Sequence, residues 1–416
     1  MKIAIVGTGI SGNVAAYKLH QNHEITVFES SEHIGGHTNT VHIHENGRQL
    51  AIDTGFIVFN DRTYPNFISL LDEIGQISQP SEMSFSVQSE RTGLEYSGSS
   101  LNTLFAQRRN ILSPSFYRMI YEILRFNREG LKSKDNLDGS ELVGDFLRRK
   151  KYSQTFIDHY LVPMAAAIWS AEPGSVLNMP LRFLLSFFAN HGLLQITDRP
   201  QWRVIKGGSS QYVDKLVAGY RDRIRLNSPV LSICRTPEGV EIQSSSAGRE
   251  SFDYVFITCH SDQALSLIDD STEAEREVLS AIKYQSNEAV LHTDDSLMPR
   301  RSMAWAAWNY HIPQNLTDHV TVTYNMNILQ KLKADKQYLV TLNNDQRIST
   351  DKILCRIQYE HPIFSRDSLN VQLRQAEINR DRTFFCGAYW GNGFHEDGVE
   401  SALAALRHFN ERLHNE

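Results

Sequence analysis

The chain has 416 residues, a net charge of −6, 41% hydrophobic and 22% charged residues, and a mean hydropathy of −0.36. This length allows two domains with a substantial core, and the composition is typical of a soluble globular protein. The negative net charge does not suggest nucleic-acid binding, and no apolar run approaches the roughly 20 residues of a membrane span. The four cysteines lie far apart and form no C-x-x-C pair, which argues against a structural metal and favours a reducing cytoplasm.

A nucleotide-binding unit is predicted at the N-terminus. Residues 2–6 are apolar and β-branched, a G-x-G-x-x-G motif follows at 7–12, a helix is predicted over 13–20, and a second strand over 25–28 ends at Glu29. The glycines allow a tight turn against a pyrophosphate, the helix N-terminus offers N–H donors, and the acid binds a ribose hydroxyl. The predicted cofactor contacts here are Gly7, Gly9, Ile10, Ser11, Gly12, Glu29 and Ser30.

Three later motifs identify the nucleotide. Paired glycines precede a hairpin-like stretch that ends in Gly55, residues 227–230 read as a strand entry, and a strand over 384–388 is followed by a last helix predicted from Gly398 to about Leu413. Together they resemble the FAD enzymes of the glutathione-reductase-like and amine-oxidase-like fold. The resemblance implies bound FAD, and because the sequence has no motif for covalent attachment, the FAD is expected to be non-covalent. The further residues expected to contact it are Gly35, Gly36, His37, Thr38, Gly55, Phe56, Val230, Gly387, Gly398, Val399 and Ala402.

The resemblance also implies an α/β fold class, with a Rossmann-like FAD-binding domain and an interleaved α+β substrate domain. The FAD-binding domain is expected over residues 1–80, 202–270 and 380–416, and the substrate domain over 81–201 and 271–379. Residues 101–200 look largely helical, whereas residues 285–375 are rich in Val, Thr, Tyr and Trp and predict a β-sheet.

Further motifs resemble one subgroup of bacterial flavoproteins, often encoded beside cyclopropane-fatty-acid-synthase-like methyltransferases. The similarity extends over nearly the whole chain, and its motifs lie at residues 36–40, 53–60, 63–67, 167–170, 305–310 and 391–398. The neighbouring methyltransferase genes of this subgroup imply a fatty-acyl or phospholipid substrate and a lipid methyltransferase as partner. Related members resemble fatty-acid desaturases.

The chain differs from true amine oxidases at one position near the flavin. Where those enzymes carry a lysine, this chain has Glu288, or Asn287 with a one-residue shift. Dehydrogenation also needs a group that takes a proton, and the candidates are His395 in a glycine-rich loop, His37 and Glu288. The residues expected near the substrate are Asn60, Tyr64, Trp169, Trp305, Trp308 and Trp390, although core packing explains the tryptophans equally simply.

Residues 101–134 carry seven basic and two acidic side chains, a local charge of +5, with apolar and aromatic residues between them. A basic amphipathic helix of this kind can lie on an anionic membrane. The alternative is an ordinary domain helix whose basic face is solvated.

The sequence therefore predicts a cytoplasmic FAD-dependent oxidoreductase that desaturates an acyl chain by hydride transfer to flavin N5, with peripheral contact to the inner face of the cytoplasmic membrane if the substrate is a phospholipid. Three alternatives stay open: a flavin amine or amino-acid oxidase, a redox-neutral double-bond isomerase, and a non-enzymatic flavin-binding partner of a lipid methyltransferase.

Overall fold

The computed structural model describes residues 1–133, 140–315 and 319–415. Its strands are, in chain order, β1 Lys2–Val6, β2 Glu24–Phe28, β3 Thr40–Glu45, β4 Arg48–Asp53, β5 Phe59–Asn60, β6 Ser78–Pro80, β7 Phe85–Ser89, β8 Glu95–Ser97, β9 Trp202–Ile205, β10 Ile224–Arg225, β11 Val230–Arg235, β12 Val240–Ser244, β13 Gly248–Phe252, β14 Tyr254–Ile257, β15 Lys283–His292, β16 Trp308–Ile312, β17 Val322–Asn325, β18 Leu339–Leu342, β19 Ile353–Ile363 and β20 Thr383–Phe385.

The α-helices vary from single turns to 21 residues. They are, in chain order, α1 Ile10–Leu19, α2 Pro65–Glu73, α3 Leu101–Leu104, α4 Pro114–Ser133, α5 Val143–Arg149, α6 Gln154–Phe156, α7 Val162–Trp169, α8 Pro173–Val176, α9 Leu181–Asn190, α10 Ser210–Val217, α11 Ser261–Leu267, α12 Glu273–Ser280, α13 Met326–Leu329, α14 Arg366–Val371, α15 Gln375–Ile378 and α16 His395–Asn415. Among the residues that the structure describes, no helix combines the length and the apolar character that crossing a membrane requires.

A five-stranded parallel sheet, in the order β10-β2-β1-β14-β20, carries the N-terminal unit. Its central strands β1 and β14 are almost entirely buried and apolar, as expected where helices cover both faces, and α1 packs against α16 beside the sheet. The first and last segments of the chain thereby meet over the carboxyl ends of the strands. This is the predicted α/β fold class with a Rossmann-like sheet, and that prediction is confirmed.

The helix of the N-terminal unit begins earlier than the sequence predicted. Strand β1 has the predicted bounds, but α1 starts at Ile10, inside the glycine motif, rather than at residue 13. The reason is a close approach: a Cβ on Gly12 would lie 2.1 Å from the Gly7 carbonyl oxygen, so the first helical turn packs directly on the preceding loop. Only glycine fits there.

A seven-stranded sheet, in the order β19-β15-β18-β17-β16-β7-β8, forms the other half of the molecule. Its strands pair antiparallel except for β16 with β7. Helices α4 to α9 supply most of the helical core beside it, with large buried side chains such as Phe126 and Phe188. One expectation is corrected: the end of the segment expected to form a sheet, up to residue 375, instead forms α14 and leads into α15. Strands β7 and β8, which lie just before the segment expected to be helical, add two strands to the sheet.

Candidate active site

The first glycine turn leaves space where a ligand would need it. A Cβ on Gly9 would meet no heavy atom of the described residues within 4 Å, although Gly9 directly precedes α1 and has φ −61° and ψ 176°. The backbone there borders open space at the N-terminus of a helix, where N–H groups and the helix dipole favour a negatively charged group. The turn therefore fits a pyrophosphate.

Glu29, expected to bind a ribose, is 8% exposed and lies beside this turn. Its Oε2 accepts hydrogen bonds from the backbone N–H of Thr8 at 2.9 Å and from the Thr8 hydroxyl, and its Oε1 accepts from the N–H of Ser31 at 2.9 Å. The carboxylate thus holds two loops together at the edge of the cavity. A ribose hydroxyl would join an already ordered group.

The second glycine pair and the C-terminal helix close the same region. A Cβ on Gly36 would lie 3.1 Å from the Cα of Gly9, and one on Gly398 would lie 2.6 Å from the Cγ2 of Ile10. The Ser11 hydroxyl donates to the Gly398 carbonyl at 2.9 Å. Three segments that are distant in the sequence are therefore in close contact at one place.

These segments line a cavity of about 400 Å³. Ligand pockets commonly hold roughly 300–1,000 Å³, so this cavity has the size of an ordinary ligand site. The predicted cofactor contacts that line it are Gly7, Gly9, Ile10, Ser11, Glu29, Ser30, Gly35, Gly36, His37, Gly55, Phe56 and Gly387. The others do not line it and are buried: Gly12, Thr38, Val230, Gly398, Val399 and Ala402.

Three histidines gather on one wall of the cavity. The ring of His37 lies 5.5 Å from that of His361 and 6.0 Å from that of His260, measured between centroids, and stacks on Tyr359 at 4.9 Å. His260 stacks on Tyr284 at 4.4 Å, and its Nδ1 lies 3.4 Å from a carboxylate oxygen of the half-exposed Glu360. The cluster therefore extends from the buried wall to the surface.

The buried rings of His37 and His361 are neutral near pH 7. Burial, together with the neighbouring His361 and His260, lowers the pKa of His37 to about 3. Burial likewise lowers the pKa of His361 to about 4 and that of His260 below its usual value. Neutral imidazoles keep one nitrogen free to accept a proton.

Hydrogen bonds fix the tautomers of two of these rings. Nε2 of His37 lies 3.2 Å from the carbonyl oxygen of Glu360, and because a carbonyl only accepts, this nitrogen carries the proton and Nδ1 is the acceptor. The Asn287 side-chain N–H donates to Nδ1 of His361 at 3.0 Å, so the proton of His361 is on Nε2. Of the two, His37 is the one whose second nitrogen is free to accept.

The structure separates Glu288 from this site and corrects its predicted catalytic role. Its carboxylate forms an ion pair of 2.9 Å with Arg356 and does not line the cavity. Side chains alternate along β15, so the preceding residue, Asn287, faces the opposite way and meets His361. Asn287 does not line the cavity either and reaches it only through its hydrogen bond to His361.

His395 lies at the cavity, but in a helix and not in the expected loop. It is the first residue of α16, its ring stacks on Phe56 at 3.5 Å, and its Nε2 lies 2.7 Å from the Tyr212 hydroxyl and 3.1 Å from that of Thr38. Burial and the nearby His37 hold its pKa well below the usual value. This geometry fits a positioning role between the second glycine segment and α16.

The remaining wall is apolar and aromatic. Its largest side chains are Trp169, Trp308, Tyr324, Phe364 and Phe394, with Ile168 and Leu342 between them. No lysine or arginine is among the described residues that line the cavity. The indole N–H of Trp308 is buried without a hydrogen-bond partner among the described residues.

Four of the residues expected near the substrate do not line the cavity. Asn60 accepts hydrogen bonds from the N–H groups of Arg62 and Thr63 and so shapes a loop. Tyr64 is buried in the core, the indole of Trp305 donates to the Pro299 carbonyl at 2.8 Å, and Trp390 packs on the core behind Tyr389. Of the expected set, Trp169 and Trp308 reach the cavity.

Sequence reasoning missed His260 and His361. His260 follows β14 at the carboxyl end of the parallel sheet, where ligands of open α/β sheets bind, so a positional signal was present. His361 lies within a strand whose face toward the cavity is set by its register with β15, and nothing in the local sequence marks it.

The sequence model of a family described as flavin containing amine oxidoreductases matches residues 10–297. Among curated proteins, protoporphyrinogen oxidase 2 (chloroplastic/mitochondrial) of Arabidopsis thaliana is 26% identical over 181 residues. That match covers 42% of this chain and 34% of the relative, so the chain spans well under half of the relative's length.

Two solved structures share the fold over nearly the whole chain. Cyclohexylamine oxidase from Brevibacterium oxydans IH-35A has a TM-score of 0.71 at 14% identity and covers 99% of both chains. The CLA-producing fatty acid isomerase from P. acnes has a TM-score of 0.65 at 16% identity, and the match covers 97% of this chain and 98% of the isomerase chain. At these identities the likeness concerns the fold.

Proposed function

Because the chain belongs to the flavin containing amine oxidoreductase family and is an FAD-dependent oxidoreductase, we propose that its substrate is a fatty-acyl chain, free or within a lipid, which it desaturates. The family match gives the cofactor and the class of reaction. The wall of the cavity supports the choice of substrate.

The observation that carries this proposal is the chemistry of the cavity wall beyond the glycine segments. Aromatic and aliphatic side chains form it, and no cationic side chain is among its described residues. An amino-acid oxidase needs an arginine or lysine to bind the substrate carboxylate, because an unpaired charge in such a cavity is costly. A hydrocarbon chain needs no such partner and gains free energy from burial.

Desaturation removes two hydrogens from neighbouring carbons. One C–H bond breaks with loss of hydride, the other with loss of a proton, and a C=C bond forms between the two carbons. Bound FAD supplies the two-electron acceptor for the hydride. The protein must place the acyl chain, exclude water and take the proton.

The group proposed to take the proton is His37, because its free Nδ1 belongs to a neutral ring on the cavity wall. His361 and His260 stand beside it, and Glu360, which lies 3.4 Å from His260, is half exposed. A proton received by His37 would therefore have a polar route toward solvent. Transfer across ring separations of 5.5 to 6.0 Å would need bridging water.

A redox-neutral isomerase is the second candidate, and one comparison favours it specifically. A protein of the same fold is named as a fatty acid isomerase, so the fold accommodates acyl-chain chemistry in a relative. The same wall and the same histidines would serve. Net electron transfer distinguishes the two reactions.

Lipid analysis of cells with and without this protein, each grown with and without oxygen, tests the proposal. Desaturation predicts acyl chains two hydrogens lighter that appear only when the protein is present. A lipid methyltransferase partner, which we also propose, predicts that methyl-branched chains accumulate when this protein is deleted. Unchanged acyl composition under all four conditions would contradict both.

A further inference from the structure

Exposed apolar side chains concentrate on one surface formed by α3, the 3-10 turn Arg108–Leu112 and α4. Seven of the fifteen exposed large hydrophobic residues in the described parts of the chain lie here, and Leu112 and Leu101 are 87% and 78% exposed. We call this surface, defined by the following residues, the α3–α4 face: Leu101, Ile111, Leu112, Tyr117, Tyr121, Leu124 and Leu131.

Helix α4 is apolar on two sides. Tyr117, Tyr121, Leu124 and Leu131 are spaced by four, three and seven residues, so they form one stripe along the helix, and all four are exposed. The inward side of the same helix is buried in the core through residues such as Phe116 and Phe126. An ordinary surface helix would present polar residues to water, and this one presents an uncovered apolar stripe.

The cations around this stripe are exposed, and the acids are not. Five basic residues of the stretch are exposed: Arg108, Arg109, Arg118, Arg128 and Lys132. Its two acids are largely covered. Glu122 is 3% exposed and bonded to Arg118 and Ser153, and Glu129 is 22% exposed and bonded to Arg125.

The basic residues of this region do not all belong to the face. Arg125 forms an ion pair with Glu129, donates to the Lys150 carbonyl at 2.9 Å and lies over the ring of Tyr152. It therefore holds the helical core together. Arg148 and Arg149 pair with Asp145 and Glu141. Lys134, the last basic residue of the predicted stretch, lies outside the described residues.

We infer that the α3–α4 face docks on the surface of an anionic lipid bilayer. Exposed tyrosines and leucines can enter the boundary between headgroups and acyl chains while the flanking cations meet anionic headgroups. A partner of this chemistry covers the apolar stripe and matches the charge. The inference rests on the proposed acyl-chain substrate, since docking would bring the enzyme to its lipid.

Co-sedimentation of the FAD-loaded protein with vesicles tests this inference. Vesicles of phosphatidylcholine alone are compared with vesicles that also contain phosphatidylglycerol, across a salt series. We expect attachment to the anionic vesicles that weakens as salt shortens the Debye length toward about 3 Å at 1 M. The double variant L112S/Y121S should bind at least about tenfold more weakly, because it removes the two most exposed anchors of the turn and the stripe.

The chain offers matched controls. Leu373 is 91% exposed but lies in another part of the surface, so Leu373→Ser should bind vesicles like the wild type. The double variant R128E/K132E should lose about tenfold or more of its attachment to anionic vesicles, whereas Arg407→Glu, at an exposed residue of α16, should not. All these variants should keep the bound flavin spectrum.

Equal binding by L112S/Y121S and Leu373→Ser, or no attachment of the wild type at low salt, would overturn the inference. If the protein instead forms dimers without vesicles and L112S/Y121S restores monomers, the face covers a second copy of the chain and the inference also fails. Flavin reduction by a detergent-dispersed acyl substrate is measured separately. Reduction without attachment would overturn the docking surface alone, and attachment without reduction would overturn the proposed function.

Discussion

The imidazole rings of His37 and His361 lie edge to face with their centroids 5.5 Å apart. His37 follows the second glycine turn of the nucleotide-binding region, and His361 belongs to β19 of the seven-stranded sheet. The contact therefore joins the two halves of the molecule at the wall of the cavity. It places a neutral imidazole ring between the glycine segments, which fit the cofactor, and the seven-stranded sheet.

Replacement of Gly9 by valine is expected to abolish FAD binding without unfolding the protein. The added side chain would enter the space that the turn leaves for a pyrophosphate, and its Cβ would contact no atom in the part of the protein that the structure describes. The flavin content of the purified variant measures the effect, and circular dichroism checks the fold.

Gly98→Val is the matched control for Gly9, because a Cβ at Gly98 also meets no atom of residues 1–133, 140–315 and 319–415 within 4 Å. Gly98 is an exposed loop residue that does not line the cavity. It should retain flavin. A Gly9→Val protein that purifies with a full complement of FAD would contradict the assignment of the turn.

Replacement of Glu29 by glutamine should weaken FAD retention and leave the rate of flavin reduction unchanged in protein saturated with FAD. The carboxylate accepts hydrogen bonds from Thr8 and Ser31 at the edge of the turn, and an amide cannot accept at both ends. The amide also makes a weaker hydrogen bond to a ribose hydroxyl than the carboxylate does, and a loss of about 1–3 kcal/mol in that bond corresponds to roughly 5- to 150-fold in the dissociation constant of FAD. Slower reduction in the fully loaded variant would show that Glu29 acts nearer to the reacting atoms.

Replacement of His37 by glutamine should slow flavin reduction by at most about 10²-fold, the lower end of the usual contribution of a positioned base, because burial leaves His37 a weak proton acceptor, while FAD stays bound. Rapid anaerobic mixing with an acyl substrate measures the rate. Because the folded-state pKa of His37 is about 3, the wild-type rate should not fall with acid until the pH approaches that value.

The corresponding variant of His395 serves as a comparison. His395 bonds to Tyr212 and Thr38 and stacks on Phe56, so His395→Gln should loosen flavin binding more than it slows the reduction of bound flavin. The reverse pattern, with His37→Gln unaffected and His395→Gln inactive but fully loaded, would exchange the two roles.

The sequence located the nucleotide-binding region well, because its signals are local. Glycines at fixed spacing, a strand before them and an acid after them predict the turn, the helix and the position of Glu29 within a few residues. The start of α16 was misplaced for a physical reason: Glu396 accepts hydrogen bonds from the N–H groups of Asn66 and Phe67. A contact with a distant segment thus stabilises the first turn of that helix.

The histidine cluster could not be predicted in the same way. Its members come from a glycine turn, the loop that follows β14 and the last part of β19, and they meet only because the two sheets pack against each other. The exclusion of Glu288 depends equally on strand register, since a shift of one residue along β15 exchanges the side chains that face the cavity.

Acid should destabilise the protein through buried neutral histidines, and His191 provides the clearest case. Burial lowers its pKa from 6.5 to about 4. Between about pH 6.5 and pH 4, His191 is therefore protonated in the unfolded chain but not in the folded chain. Because the unfolded state binds more protons in this window, the free energy of unfolding falls as the pH falls through it.

For His191→Gln, the loss of unfolding free energy between pH 7 and pH 5 should be smaller than in the wild type by at most about 2 kcal/mol. Urea denaturation at the two pH values measures it. His44→Gln, at an exposed position of β3, should behave like the wild type. Identical pH dependence in all three proteins would show that His191 titrates normally in the folded state.

Anaerobic mixing of the FAD-loaded protein with detergent-dispersed lipids tests the central claim most directly, with the visible flavin absorbance and the mass of the acyl product followed together. An unsaturated or methyl-branched acyl chain should bleach the flavin, one equivalent for each chain that becomes two hydrogens lighter, while primary amines and amino acids should leave the flavin oxidised. Bleaching by amines or amino acids but by no acyl lipid would contradict the claim. A rearranged product of unchanged mass, with no net bleaching, would replace desaturation by isomerisation.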